Sequence, residues 1–124
     1  MSVRVWYTTV YVEDFGVALA FYRDKVGLPL RFADEKFRYA SFGTEGASFS
    51  IAGIQDPSQK HLVGRDTGIG LAVDDLEATY EEWKERGVEF TTPPTKQPWG
   101  GTIAVLRDPE GNTIVLDHYD PDAR

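Results

Sequence analysis

The chain has 124 residues, no cysteine and a formal net charge of −7, with 41% hydrophobic and 27% charged residues. That is enough for one domain with a real core, and it excludes disulfide frameworks, thiol nucleophiles and thiolate metal sites. The acidic balance argues against a nucleic-acid partner, which needs a basic footprint. No apolar run approaches the roughly 20 residues of a membrane-spanning helix.

The opening MSVRVWYTTVYVED passes straight into a strand pattern, without the basic start and long apolar stretch of a signal peptide, so a cytoplasmic location is expected. The segment VYVEDFGVALAFYRDKVGLPLRF then reads as a strand ending in valine, an acidic helix cap, a helix of about three turns, a glycine and another strand. FGTEGASFSIAG closes this first half. GIQDPSQKHLVGRDT carries turn residues and no sustained period, as a linker does. LAVDDLEATYEEWKERGVEFTT repeats the first plan, and LRDPEGNTIVLD repeats the close. Asp14 and Asp75 are matched caps; Phe15 pairs with Leu76, Tyr22 with Trp83, Lys25 with Arg86 and Gly46 with Gly111. In DPEGN, Pro109 fixes φ and Gly111 can take φ > 0, which makes a turn.

This internal repeat predicts an α+β protein of two tandem βαβββ modules, 1–54 and 67–124, joined by a linker at 55–66. Sixty-residue halves are marginal alone and gain stability by pairing. Paired, they give a curved eight-stranded mixed sheet with helices on its outside and a concave inner face, where ligands usually go.

Charge divides unevenly between the halves. Residues 1–60 hold seven acids and seven bases, and the later residues thirteen acids and six bases. Leu76, Tyr80 and Trp83 form an apolar stripe at helical spacing, with Glu77, Glu81 and Glu85 on another face. The acid therefore reads as a solvated helix surface.

The FYRDKVGL helix end, PWGGTIAVLRDPEGNTIVL, the repeat and the total length together resemble the vicinal oxygen chelate superfamily, which includes glyoxalase I, extradiol dioxygenases, fosfomycin-resistance enzymes and bleomycin-resistance proteins. Metal-dependent members place His and Glu ligands on the first and last strands of each unit. The resemblance carries those positions onto Tyr7, Ser50, Gly68 and Val115. Two of these have no side-chain donor atom, Ser is a poor ligand, and a lone Tyr cannot hold a divalent ion where three imidazole or carboxylate ligands are normal. The histidines lie elsewhere, His61 in the linker and His118 on the expected helix side of the last strand. No metal and no cofactor is expected.

Strand parity assigns the inner face. The first strand offers Tyr7, Thr9 and Tyr11, the fourth Ser48, Ser50 and Ala52, the fifth Gly68, Gly70 and Ala72, and the eighth Thr113, Val115 and Asp117. Bulky aliphatics take the opposite face, so the inner one is small and hydroxyl-rich and cannot fill its own concavity; the alternative is that Tyr7, Tyr11 or a second chain plugs it. Trp99, in TTPPTKQPWGGT, either stacks on a planar or cationic ligand at the cavity mouth or packs its loop down. Bleomycin-resistance proteins resemble this chain in carrying Trp-Gly-Gly there. Asp117 either pairs with a ligand amine or is solvated at the strand end.

The expected function is metal-independent binding, without chemistry, of a small amphipathic molecule, aromatic or cationic, such as an antibiotic, with Tyr7, Thr9, Tyr11, Ser50, Val115 and Asp117 lining the cavity and Trp99 closing over it. The resemblance implies a homodimer with ligand sites at or near the interface. One alternative is a glyoxalase-like lyase, isomerase or dioxygenase with a displaced metal on Asp117 or Glu13. Another is a small-molecule sensor or accessory subunit.

Overall fold

Two aspartates set up the helices from which the rest is built. Asp14 Oδ1 accepts from the Val17 N–H at 3.2 Å, and Asp75 Oδ1 accepts from the Ala78 N–H at 3.0 Å. These are side-chain caps for the otherwise orphaned first-turn donors. The computed structural model describes residues 2–122. The elements run β1 (Tyr7–Val12), α1 (Phe15–Ala20), β2 (Leu30–Asp34), β3 (Tyr39–Phe42), β4 (Ser48–Gly53), β5 (Asp66–Val73), α2 (Leu76–Glu85), β6 (Glu89–Lys96), β7 (Thr102–Arg107) and β8 (Thr113–His118). The α1 segment continues as a π-helical stretch over Phe21–Val26, ended by Gly27 at φ 83°, a left-handed value that suits glycine. The connection from β4 to β5 contains a 3-10 helix, Pro57–Leu62, capped by Asp56. No helix among the described residues is long and apolar enough to cross a membrane.

The eight strands are shared between two four-stranded mixed sheets, ordered β1-β4-β3-β2 and β5-β8-β7-β6. In each, the first two strands of that order are parallel and the rest antiparallel. The units close alike: the Val12 carbonyl accepts from Ile54 N, and the Val73 carbonyl from Tyr119 N. The α+β class and the two βαβββ units are thus both present.

Alternation sorts each strand into two faces. Val10, Val12, Phe49, Ile51, Ile114 and Leu116 are buried, and they join Phe15, Leu19, Tyr22, Leu76 and Trp83 from the helical segments in one continuous core. Both helices therefore lie against that core. Each sheet turns its other face away from it. Fully burying side chains of this size stabilises by about 1.5–3 kcal/mol apiece, which is why the parity of a strand is firmly held.

The two units are fastened by the turn between β7 and β8. Asn112 is fully buried. Its Nδ2 donates to the Tyr11 carbonyl and to Asp108 Oδ2, each at 3.0 Å, while its Oδ1 accepts from Gly64 N and Arg65 N. Asp108 Oδ2 also accepts from the Tyr22 hydroxyl at 2.6 Å. Glu110 Oε1 accepts from the Glu13 and Asp14 N–H groups. Burial, with the Asp108 carboxylate beside it, pushes the Tyr22 hydroxyl far above the usual tyrosine range.

Candidate functional site

The outward face of the second sheet carries the larger hollow. Along β5, Gly68, Gly70 and Ala72 are exposed, and a Cβ added at Gly68 or Gly70 would meet no atom within 4 Å. Beside them on β8, Val115 is in register with Gly70, and Asp117 with Ala72. Ile103 of β7 lies opposite Asp117. These residues floor an open concavity of about 1260 Å³, whose edges include Trp99 and Tyr119.

Trp99 is 69% exposed. It sits in a tight turn in which Gly100 N donates to the Gln97 carbonyl and Gln97 N to the Gly101 carbonyl. Gly100 has φ 102°, a conformation that strains any residue with a side chain. The turn thus holds the indole out rather than packing it down. His118 shares the parity of Ile114 and Leu116 but is exposed at the end of β8, where it borders this concavity. The alternation that buries Ile114 and Leu116 lapses where the strand outruns the core. His61 is exposed in the 3-10 helix.

The first sheet presents a different face. Tyr7, Thr9 and Tyr11 do lie on the side opposite the core, Tyr7 being 56% exposed. Ser50 is fully buried, and its hydroxyl accepts from the Tyr39 hydroxyl at 2.9 Å. Phe32 and Tyr39 lie side by side with ring centroids 5.8 Å apart. Arg31 donates to the Ser48 hydroxyl. The structure therefore brings Trp99, Val115 and Asp117 together and places Tyr7, Thr9, Tyr11 and Ser50 on the other sheet. Parity along the parallel pairs β1–β4 and β5–β8 does not reach Phe32, Tyr39 and Ile103, which lie on β2, β3 and β7 and follow from the same alternation there.

The four positions at which related folds hold a metal do not fit one here. Gly68 and Val115 offer no donor, and the Ser50 hydroxyl is already engaged. Among the described residues no group of three or more His, Cys, Asp or Glu could hold a metal ion. Glu13 borders a separate hollow of about 560 Å³, with Asp14, Glu35 and Arg38. An Arg in that position opposes a cation. Replacing Val115 by Glu should therefore create no metal site. It should cost about 1–3 kcal/mol, because a carboxylate on this half-buried face has no partner. A thermal melt would show a lowered midpoint that added Zn²⁺ does not restore.

A sequence model of the Glyoxalase/Bleomycin resistance protein/Dioxygenase superfamily matches residues 4–116. An uncharacterized protein of Bacillus subtilis (strain 168), YurT, is 32% identical over 126 residues, spanning 92% of this chain and 98% of that one. A bleomycin resistance protein of Klebsiella pneumoniae is 29% identical over 111 residues, spanning 84% and 83%. The crystal structure of TnmS3, an antibiotic binding protein from Streptomyces sp. CB03234, superposes with a TM-score of 0.77 at 30% identity, covering 97% of this chain and 99% of that one.

Proposed function

The chain belongs to the glyoxalase/bleomycin resistance protein/dioxygenase superfamily, and from that premise we propose that it binds and sequesters a small amphipathic or aromatic molecule without a metal and without chemistry. The observation that carries this reading is the open concavity of the second sheet. Its floor along β5 is Gly68, Gly70 and Ala72, and an indole stands exposed beside it. Of the four metal positions, Gly68 and Val115 have no donor atom and Ser50 is already hydrogen-bonded. An apolar lining with a few placed polar groups is what small-molecule pockets have in common. TnmS3 and the Klebsiella protein, named for antibiotic binding and bleomycin resistance, support an antibiotic as the ligand. In this reading Trp99, Val115 and Asp117 contact the molecule directly. The protein works as a cytoplasmic homodimer, and Tyr7, Thr9 and Tyr11 of a second copy face the ligand across the interface, with Ser50 supporting that face. The first sheet supports such pairing, since Tyr7 and Phe32 are both more than half exposed and large apolar patches usually mark contacts.

Two measurements test the proposal. Elemental analysis of protein purified without a metal-affinity tag should find far less than one metal per chain, and Zn²⁺, Ni²⁺, Mn²⁺ or Fe²⁺ should leave the melting midpoint unmoved. One tightly held metal per chain with the matching stabilisation would overturn it. Replacing Trp99 by Ala should weaken binding of an aromatic ligand by about 1–3 kcal/mol in calorimetric titration. An unchanged affinity would return the indole to a purely structural role.

A further inference from the structure

We infer that the concavity of the second sheet selects planar aromatic cations over neutral or anionic molecules of the same shape. This rests on the proposed binding role and names the ligand class for that site. The cavity itself supplies the flat geometry. Its floor is open above Gly68 and Gly70, so a ring can lie against backbone, with Trp99 and Tyr119 at the edges.

The charge selection comes from what else borders the same space. Asp74, Asp75, Glu77, Asp117 and Asp120 all line it, and among the described residues no lysine or arginine does. Asp75 caps α2 and Asp117 is half-buried, while Asp74, Glu77 and Asp120 are exposed at the rim. A single exposed carboxylate adds little, but several carboxylates around one cavity attract a cation together and repel an anion. An indole face adds to this for a cationic ring. On Coulomb grounds the combined preference is on the order of tenfold at low salt.

Calorimetric titration with three tricycles of matched shape tests this: an aminoacridinium dye, uncharged anthracenemethanol and the anthracenecarboxylate anion. The dye should bind about tenfold more tightly than the other two. That advantage should shrink with added salt and largely vanish in the double variant Asp74→Asn/Asp120→Asn, whose exposed substitutions leave the core untouched. Equal or tighter binding of the neutral or anionic tricycle, itself weakened by Trp99→Ala, would overturn the charge selection while leaving the binding role standing. A dye affinity indifferent to the double variant would overturn it too. If none of the three binds, both the selection and the site on which it rests fall.

Discussion

Replacing Asn112 by Ala is expected to destabilise the folded chain by about 3–4 kcal/mol, one of the larger effects available to a single side chain outside the apolar core. The carboxamide satisfies four groups at once: the Tyr11 carbonyl, Asp108 Oδ2, and the Gly64 and Arg65 N–H groups. Truncation removes those bonds where water does not reach, since Asn112 is fully buried. Leaving buried donors and acceptors unmade costs about 1–3 kcal/mol for each group that finds no substitute. In a chain of this length the loss corresponds to a melting decrease of about 10–15 °C.

Asn112→Asp should be at least as damaging. It loses both donors and sets a second carboxylate in contact with that of Asp108. The consequence reaches the cavity, because Asn112 ties the start of β8 to the residues that lead into β5, and these two strands floor it. Ligand affinity should therefore fall along with stability. A melting midpoint within two or three degrees of the parent would show that Asn112 fills the turn without fastening the units.

Much of the fold is legible in the residues, because it depends on local features that repeat. Val10 and Val12 alternate with Thr9 and Tyr11, Ile114 and Leu116 with Val115 and Asp117, and a strand cannot slip by one residue without exposing its whole buried set. Asp14 and Asp75 announce their helices by cap chemistry alone. The fastening of the two units is not legible in this way. DPEGN reads as a turn, and nothing local tells that Asp108 and Asn112 point inward to meet Tyr22 and Tyr11, 86 and 101 residues away. Those contacts exist only once both sheets share a core.

The candidate site divides along the same line. Val115, Asp117 and the glycines of β5 follow from parity and lie together. The burial of Ser50 under a hydroxyl from β3 does not follow from its own strand. Helical spacing makes the acid of the α2 segment a solvated surface. That description fits Glu77, Glu81, Glu82 and Glu85, all of which are exposed. Asp74, Asp75 and Glu77 also border the cavity, because the start of α2 abuts its mouth. Helical spacing cannot reveal it.

Stability at high pH provides the second large effect, and it isolates Tyr22. This hydroxyl is buried against the rings of Phe21 and Phe49 and donates to Asp108. Burial first, and the neighbouring carboxylate second, raise its pKa far above the ordinary value. The folded chain then keeps a proton that the unfolded chain surrenders near pH 10. Its contribution is complete below that pH and declines as pH rises beyond it, by up to about 1.4 kcal/mol per pH unit. Tyr22→Phe should cost about 1–3 kcal/mol near neutrality, since it leaves the buried Asp108 short of one donor. The variant has no proton to lose at this position, so the gap between the two proteins should close as pH rises from about 9 to about 12 and can change sign. Urea midpoints of both proteins across that range measure the gap directly. A gap that stays constant would mean that Tyr22 ionises as readily in the folded chain as in the unfolded one, and that the Tyr22–Asp108 contact opens to solvent.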